Sequence, residues 1–104
     1  MTTTTPILPD ANMRALGFTD RRSGFWYYCT RVGSYETVNF TIKKESGVYE
    51  EVVMDEMCGQ PAYYGRMKPA YGIPMRQRVD QIIERLNAAG LTLAVDHRLY
   101  GFSE

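Results

Sequence analysis

The strongest constraint on this chain is an apolar stripe near its C-terminal end. Met75, Val79, Ile82, Ile83 and Leu86 recur at +4, +7, +8 and +11 from the first of them, the period of one side of an α-helix. Pro74 suits the first turn and Gly90 the position just past the end. Arg78, Asp80, Gln81, Glu84 and Arg85 fall off the stripe and form a wet side. A helix over 75–89 with one apolar side needs a second layer to cover it, and the rest of the sequence is read for that layer.

Strands upstream supply it. Gly24 opens Phe25-Trp-Tyr-Tyr-Cys-Thr-Arg-Val32, almost wholly aromatic or β-branched, with Trp26 or Phe25 as the anchor of the core. Thr37 to Lys43 alternates, Val38, Phe40 and Ile42 pointing one way and Thr37, Asn39, Thr41 and Lys43 the other. Lys44-Glu-Ser-Gly47 is a hairpin turn and Val48 to Asp55 a third strand. A bulged turn sets Val52 and Met54 beside Phe40 and Val38, and a turn one residue tighter sets Tyr49 and Val53 there. The sequence leaves both registers open, because a one-residue slip reverses every side chain.

Asp10 is placed to cap a short N-terminal helix that ends at Gly17, with Phe18 as its apolar contact. Thr19 to Gly24 is a polar turn, and Leu91 to Val95 is a candidate fourth strand. The sum is an α+β fold: a three- or four-stranded antiparallel β-meander packed against one long C-terminal helix, with a short N-terminal helix. One domain is expected over 10–104, preceded by a flexible segment 1–9, and the apolar tip Leu99, Tyr100 and Phe102 is expected to dock.

Composition narrows the function classes. The 104 residues carry 12 cations and 12 acids, a formal net charge of zero. That removes the global basic field most non-specific nucleic-acid binders use. Charge is uneven, however. Residues 43–57 carry two cations against five acids, and 58–89 five cations against two acids. No apolar run approaches the ~20 residues that span a bilayer, so no membrane partner is expected. The N-terminus lacks the marks of a signal peptide. Cys29 and Cys58 read as reduced thiols, and the expected compartment is the cytoplasm.

Between the strands and the helix runs Pro61 to Arg76, with three Tyr, three Pro, two Gly, two Met and three cations and no acid. A long connection in a small domain is usually functional or mobile, and Tyr, Met and Arg are favoured at binding surfaces. The binding candidates are Tyr63, Tyr64 and Tyr71 as anchors, with Met67, and Arg66, Lys68, Arg76 and Arg78 as an electrostatic rim. The competing reading has the three tyrosines packing over the end of the sheet. Eight Tyr in a chain this short exceed what one small core needs, so some are expected at the surface.

Catalytic and metal signatures are absent from the sequence. Cys29, Cys58, Asp96 and His97 have no zinc spacing, so no metal and no cofactor is expected. A Cys58–His97 pair is outweighed by an exposed tail histidine and a loop thiol. Asp55 and Glu56 are read as guarding an edge strand. The αβββα order resembles that of the double-stranded RNA-binding domain, yet the start of the long helix, Pro74-Met-Arg-Gln-Arg78, carries two cations rather than a lysine cluster. The expectation is a non-catalytic domain that binds a protein partner, or itself, through the loop 60–73 and nearby sheet aromatics. The alternative is a nucleic-acid-binding accessory protein using the basic loop and the helix start.

Overall fold

A computed structural model describes residues 3–20 and 24–103. The elements are helix α1 (Asp10–Leu16), strands β1 (Phe25–Arg31), β2 (Glu36–Lys43), β3 (Tyr49–Asp55) and β4 (Gln60–Pro61), a 3₁₀ turn at Tyr64–Arg66, helix α2 (Pro69–Ala88) and a second 3₁₀ turn at His97–Tyr100. The four strands form one antiparallel sheet in the order β1-β2-β3-β4, with α2 across one face. Of the polar turn expected at Thr19 to Gly24, Arg21, Arg22 and Ser23 lie outside the described residues.

The β2–β3 hairpin takes the tighter register. Val38 stands opposite Val53, Phe40 opposite Glu51 and Ile42 opposite Tyr49, so Tyr49 and Val53 face the core. The turn fixes this: Gly47 sits at φ 76°, and the Lys43 N–H donates to the Val48 carbonyl at 2.8 Å. On the covered face Trp26, Tyr28, Val38, Phe40, Ile42, Tyr49 and Val53 meet Met75, Val79, Ile82 and Leu86 of α2, with Met13 and Phe18 closing one end. Full burial of side chains of this size contributes roughly 1.5–3 kcal/mol each.

Trp26, not Phe25, is the anchor; Phe25 lies on the open face beside Tyr27, with ring centroids 6.1 Å apart. Lys44 and Arg14 both stand over the indole, 4.3 and 5.2 Å from its ring centroid, and both bind Asp20. The Lys44 hydrogen bond is the largest effect on the Asp20 carboxyl and, helped by Arg14, holds it below its ordinary pKa against the desolvation that opposes it.

Four expectations change. α2 begins at Pro69, six residues before the expected start at 75, and Pro74 lies inside it. Gly72 explains why: it is buried against Tyr64, with the Tyr64 carbonyl oxygen where a side chain would begin. Packing of the first turns on the preceding segment outweighs the missing N–H of Pro74. Second, the fourth strand is Gln60–Pro61, not Leu91 to Val95.

Leu91 and Leu93 are core residues, and side chains satisfy the local backbone. Asn87 binds both the N–H and the carbonyl of Leu93, Thr5 accepts from the Thr92 N–H, and the Tyr49 hydroxyl accepts from the Ala94 N–H. Third, the segment expected to be flexible is docked over residues 3–8: Thr4 bridges Val48, and the Thr5 N–H donates to the Gly47 carbonyl. Met1 and Thr2 lie outside the described residues. Fourth, Asp10 is the first residue of α1 and Pro9 is its cap, with no side-chain hydrogen bond.

Candidate functional site

The segment from Gln60 to the first turns of α2 is part of the folded body, and its side chains sort into three groups. Tyr64 is inside: its exposure is 0%, which removes it from the surface anchors expected of the loop. Met67 is half-buried against the core. Tyr63, Arg66, Lys68, Tyr71 and Arg78 are exposed, and Arg76 is half-buried.

Tyr64 belongs to a buried polar chain. Its hydroxyl lies 2.5 Å from His97 Nδ1, and His97 Nε2 lies 2.7 Å from Asp80 Oδ1. An ionised carboxylate only accepts, so Nε2 carries a hydrogen; in neutral His97 the other nitrogen then takes the tyrosine's. The expected exposed tail histidine is thus a buried one, at 9% exposure.

The Tyr64 ring stacks on Tyr100 with centroids 5.3 Å apart and meets Phe102 at the same separation. The Tyr100 hydroxyl accepts from the Val53 N–H and donates to Glu51, both at 3.0 Å. Burial raises Tyr64 far above the ordinary tyrosine range and pushes Tyr100 up to about 12. Burial also raises Glu51, against the opposing Tyr100 hydrogen bond. Chemically this is a donor–acceptor chain from the exposed Asp80 carboxylate to a hydroxyl sealed from solvent. It fastens the C-terminal segment to α2 and to the Tyr64 turn, and it docks the apolar tip as expected for Tyr100 and Phe102; Leu99 stays exposed.

The exposed groups do not form one patch. Arg66 covers the Tyr63 ring and Arg76 the Phe102 ring, each 4.8 Å from the centroid, toward the C-terminal segment. Tyr71 and Arg78 are seven residues apart, close to two helical turns, and so share one side of α2; Arg76 points away from it. On the Tyr71 side a groove of about 280 Å³ runs between α2 and the β1–β2 turn, lined by Val32, Gly33, Ser34, Glu36, Met67, Ala70, Tyr71, Pro74 and Met75. Tyr71 stands at its rim with 65% exposure. Glu36 is buried in the floor, accepting from the Tyr35 N–H at 3.1 Å. Further along the same side Arg85 donates to the Tyr28 hydroxyl at 2.8 Å and the Leu16 carbonyl at 3.2 Å.

No family model and no curated protein matches the chain. Its fold is similar to that of a DUF1831 family protein from Lactobacillus plantarum, with a TM-score of 0.56 over 86% of this chain and 83% of that one, at 18% identity. Identity this low carries the fold alone. No helix among the described residues is long and apolar enough to cross a membrane.

Proposed function

We propose that this chain is a small non-catalytic interaction domain that docks a protein partner on the Tyr71 side of α2. One observation carries the reading: a large, exposed aromatic ring at the rim of a groove floored by Met67, Met75 and the buried Glu36. Such an arrangement is what interface anchors look like before they are covered, and Arg78 on the same side adds a charged rim. Tyr63 and Arg66, on the other side, form a second and smaller exposed pair. The non-catalytic reading is supported by His97, both of whose nitrogens are engaged inside the fold. The cytoplasm remains the compartment we assign, supported by two exposed thiols.

The test is a photo-crosslinking side chain installed at position 71, with the exposed position 50 on the opposite sheet face as control. A discrete protein adduct from position 71 that survives nuclease and is absent from position 50 is the expected result. An adduct of twice the chain's mass identifies a second copy as the partner. Adducts to nucleic acid would replace this reading with the nucleic-acid alternative, and equal labelling from both positions would end it.

A further inference from the structure

The two edges of the sheet are treated differently. The β3 edge is covered at both ends and in the middle, with Glu51 the gap between Tyr49 and Val53. The Tyr49 N–H donates to the Thr3 carbonyl, Thr4 bridges Val48, the Val53 N–H is held by the Tyr100 hydroxyl, and the Ala62 N–H donates to the Val53 carbonyl just before β4 pairs with Met54 and Asp55. Closed edges are the norm, because unpaired strand backbone invites another chain.

Among the described residues the β1 edge is closed at Tyr27 alone. Thr19 and Tyr27 exchange both backbone hydrogen bonds, at 2.8 and 2.7 Å. That exchange shows which way the strand faces: odd-numbered residues of β1 turn their N–H and C=O away from β2. Beyond Tyr27 the chain leaves the edge, since Gly17 already ends α1. The outward backbone groups of Cys29 and Arg31 have no partner among the described residues. On the sheet face away from α2 a concavity of about 700 Å³ adjoins this stretch, lined by Gly17, Thr19, Tyr27, Tyr28, Cys29 and residues of β2.

α2 flanks this open edge. Tyr71 lies at the β1–β2 turn and Arg85 at Tyr28. Arg78 sits midway between them in sequence, seven residues from each, and therefore on the same side of the helix. Arg78 makes no ion pair among the described residues. Arg31 adds a third cation at the end of the strand, and no acid occupies positions 71, 74, 78, 82 or 85. A second copy of this chain would bring the same cations to its own edge and be repelled. An extended acidic segment on this open backbone would have Arg78 and Arg85 of α2 on one side and Arg31, which points to the opposite sheet face and donates to the Ser34 carbonyl, on the other.

We infer that the free edge of β1 at Cys29 and Arg31 accepts an extended acidic peptide as an added strand, with Arg31, Arg78 and Arg85 selecting its charge. This deepens the interaction reading above and rests on it. Main-chain hydrogen bonds to the edge supply affinity and the flanking side chains specificity.

The probe is a fluorescein-labelled peptide of alternating Val and Glu, about eight residues long, a common strand length. Its alternating Val–Lys counterpart is the control. Anisotropy should show saturable binding of the acidic peptide alone, weakened about tenfold or more by R78E, a full charge reversal at the edge. Hydrogen exchange at the Cys29 and Arg31 amides should slow about tenfold or more when the peptide binds, while the already bonded Tyr27 amide changes little.

Equal binding of both peptides overturns the inference, as does unchanged exchange at Cys29 and Arg31. Preference for a single-stranded oligonucleotide over the acidic peptide overturns it as well. If position 71 crosslinks a protein partner and these amides stay unprotected, the edge assignment fails and the interaction reading stands. If position 71 crosslinks nothing, the interaction reading itself fails.

Discussion

Replacing Gly72 with Ala separates the packed helix from the loop that the sequence implies. In an exposed or loosely held segment, Gly→Ala is neutral or stabilising, and in a helix interior it gains about 1 kcal/mol from propensity. Here the new Cβ falls within 3.0 Å of the Tyr64 carbonyl oxygen, a backbone atom that cannot swing aside. Tyr64 is itself held by His97, Tyr100 and Phe102. Overpacking of this kind costs about 1–3 kcal/mol, and the rigidity of the opposing group argues for the upper end.

Set against the propensity gain, the net loss is about 2 kcal/mol, taking the upper figure. For a domain of this size that lowers the midpoint by about 10 °C. Thermal unfolding followed by far-ultraviolet circular dichroism reads it directly. A midpoint unchanged or raised in Gly72→Ala would refute the packing of residues 69–73 on Tyr64.

Three further outcomes follow, two from the buried network and one from the exposed thiols. Tyr64→Phe strips the hydrogen from one side of His97 and should cost about 1–3 kcal/mol, whereas Tyr64→Ser should cost about 3–5 kcal/mol through the cavity it leaves; denaturant titration distinguishes them. Burial raises Glu51 above its ordinary 4.5, so the folded state holds that proton more tightly than the unfolded chain. Its ionisation therefore removes stability as pH rises from about the ordinary glutamate value through the raised one. Glu51→Gln should be more stable than the parent at neutral pH and lose that advantage in acid, measured by melting at several pH values. Both cysteines are exposed, so the native protein should yield two reactive thiols to a disulfide reagent without denaturant; fewer than two would contradict their placement.

Much of this fold was legible in the sequence, and the parts that were not share a cause. The stripe from Met75 to Leu86 and the alternation in β2 are local patterns, and both became the elements they imply. The hairpin register turned on a single turn residue. The start of α2 was hidden because Pro74 looks like a beginning, while the reason for an earlier start is the Tyr64 carbonyl under Gly72.

His97 looked like a tail residue because its partners lie 17 and 33 positions away. No short-range pattern pairs it with Asp80 and Tyr64. The abundance of tyrosine did point to some lying at the surface, and Tyr35, Tyr63 and Tyr71 are exposed. Which of the loop tyrosines faced outward was set by the turn at Tyr64–Arg66 and the new helix start, neither of which composition reveals. The contacts of Arg85 were hidden in the same way, since its hydrogen-bond partners Tyr28 and Leu16 lie 57 and 69 positions away.

The most direct test of the interaction reading is a paired measurement on Tyr71→Ser: thermal stability, and retention of the partner crosslinked from position 71. The ring is largely in solvent, so the melting midpoint should match the parent to within the roughly 0.5 kcal/mol typical of surface substitutions, while partner retention is lost. Retention at the parent level, or a large fall in stability, would contradict the account and return Tyr71 to the list of residues that merely hold the fold together.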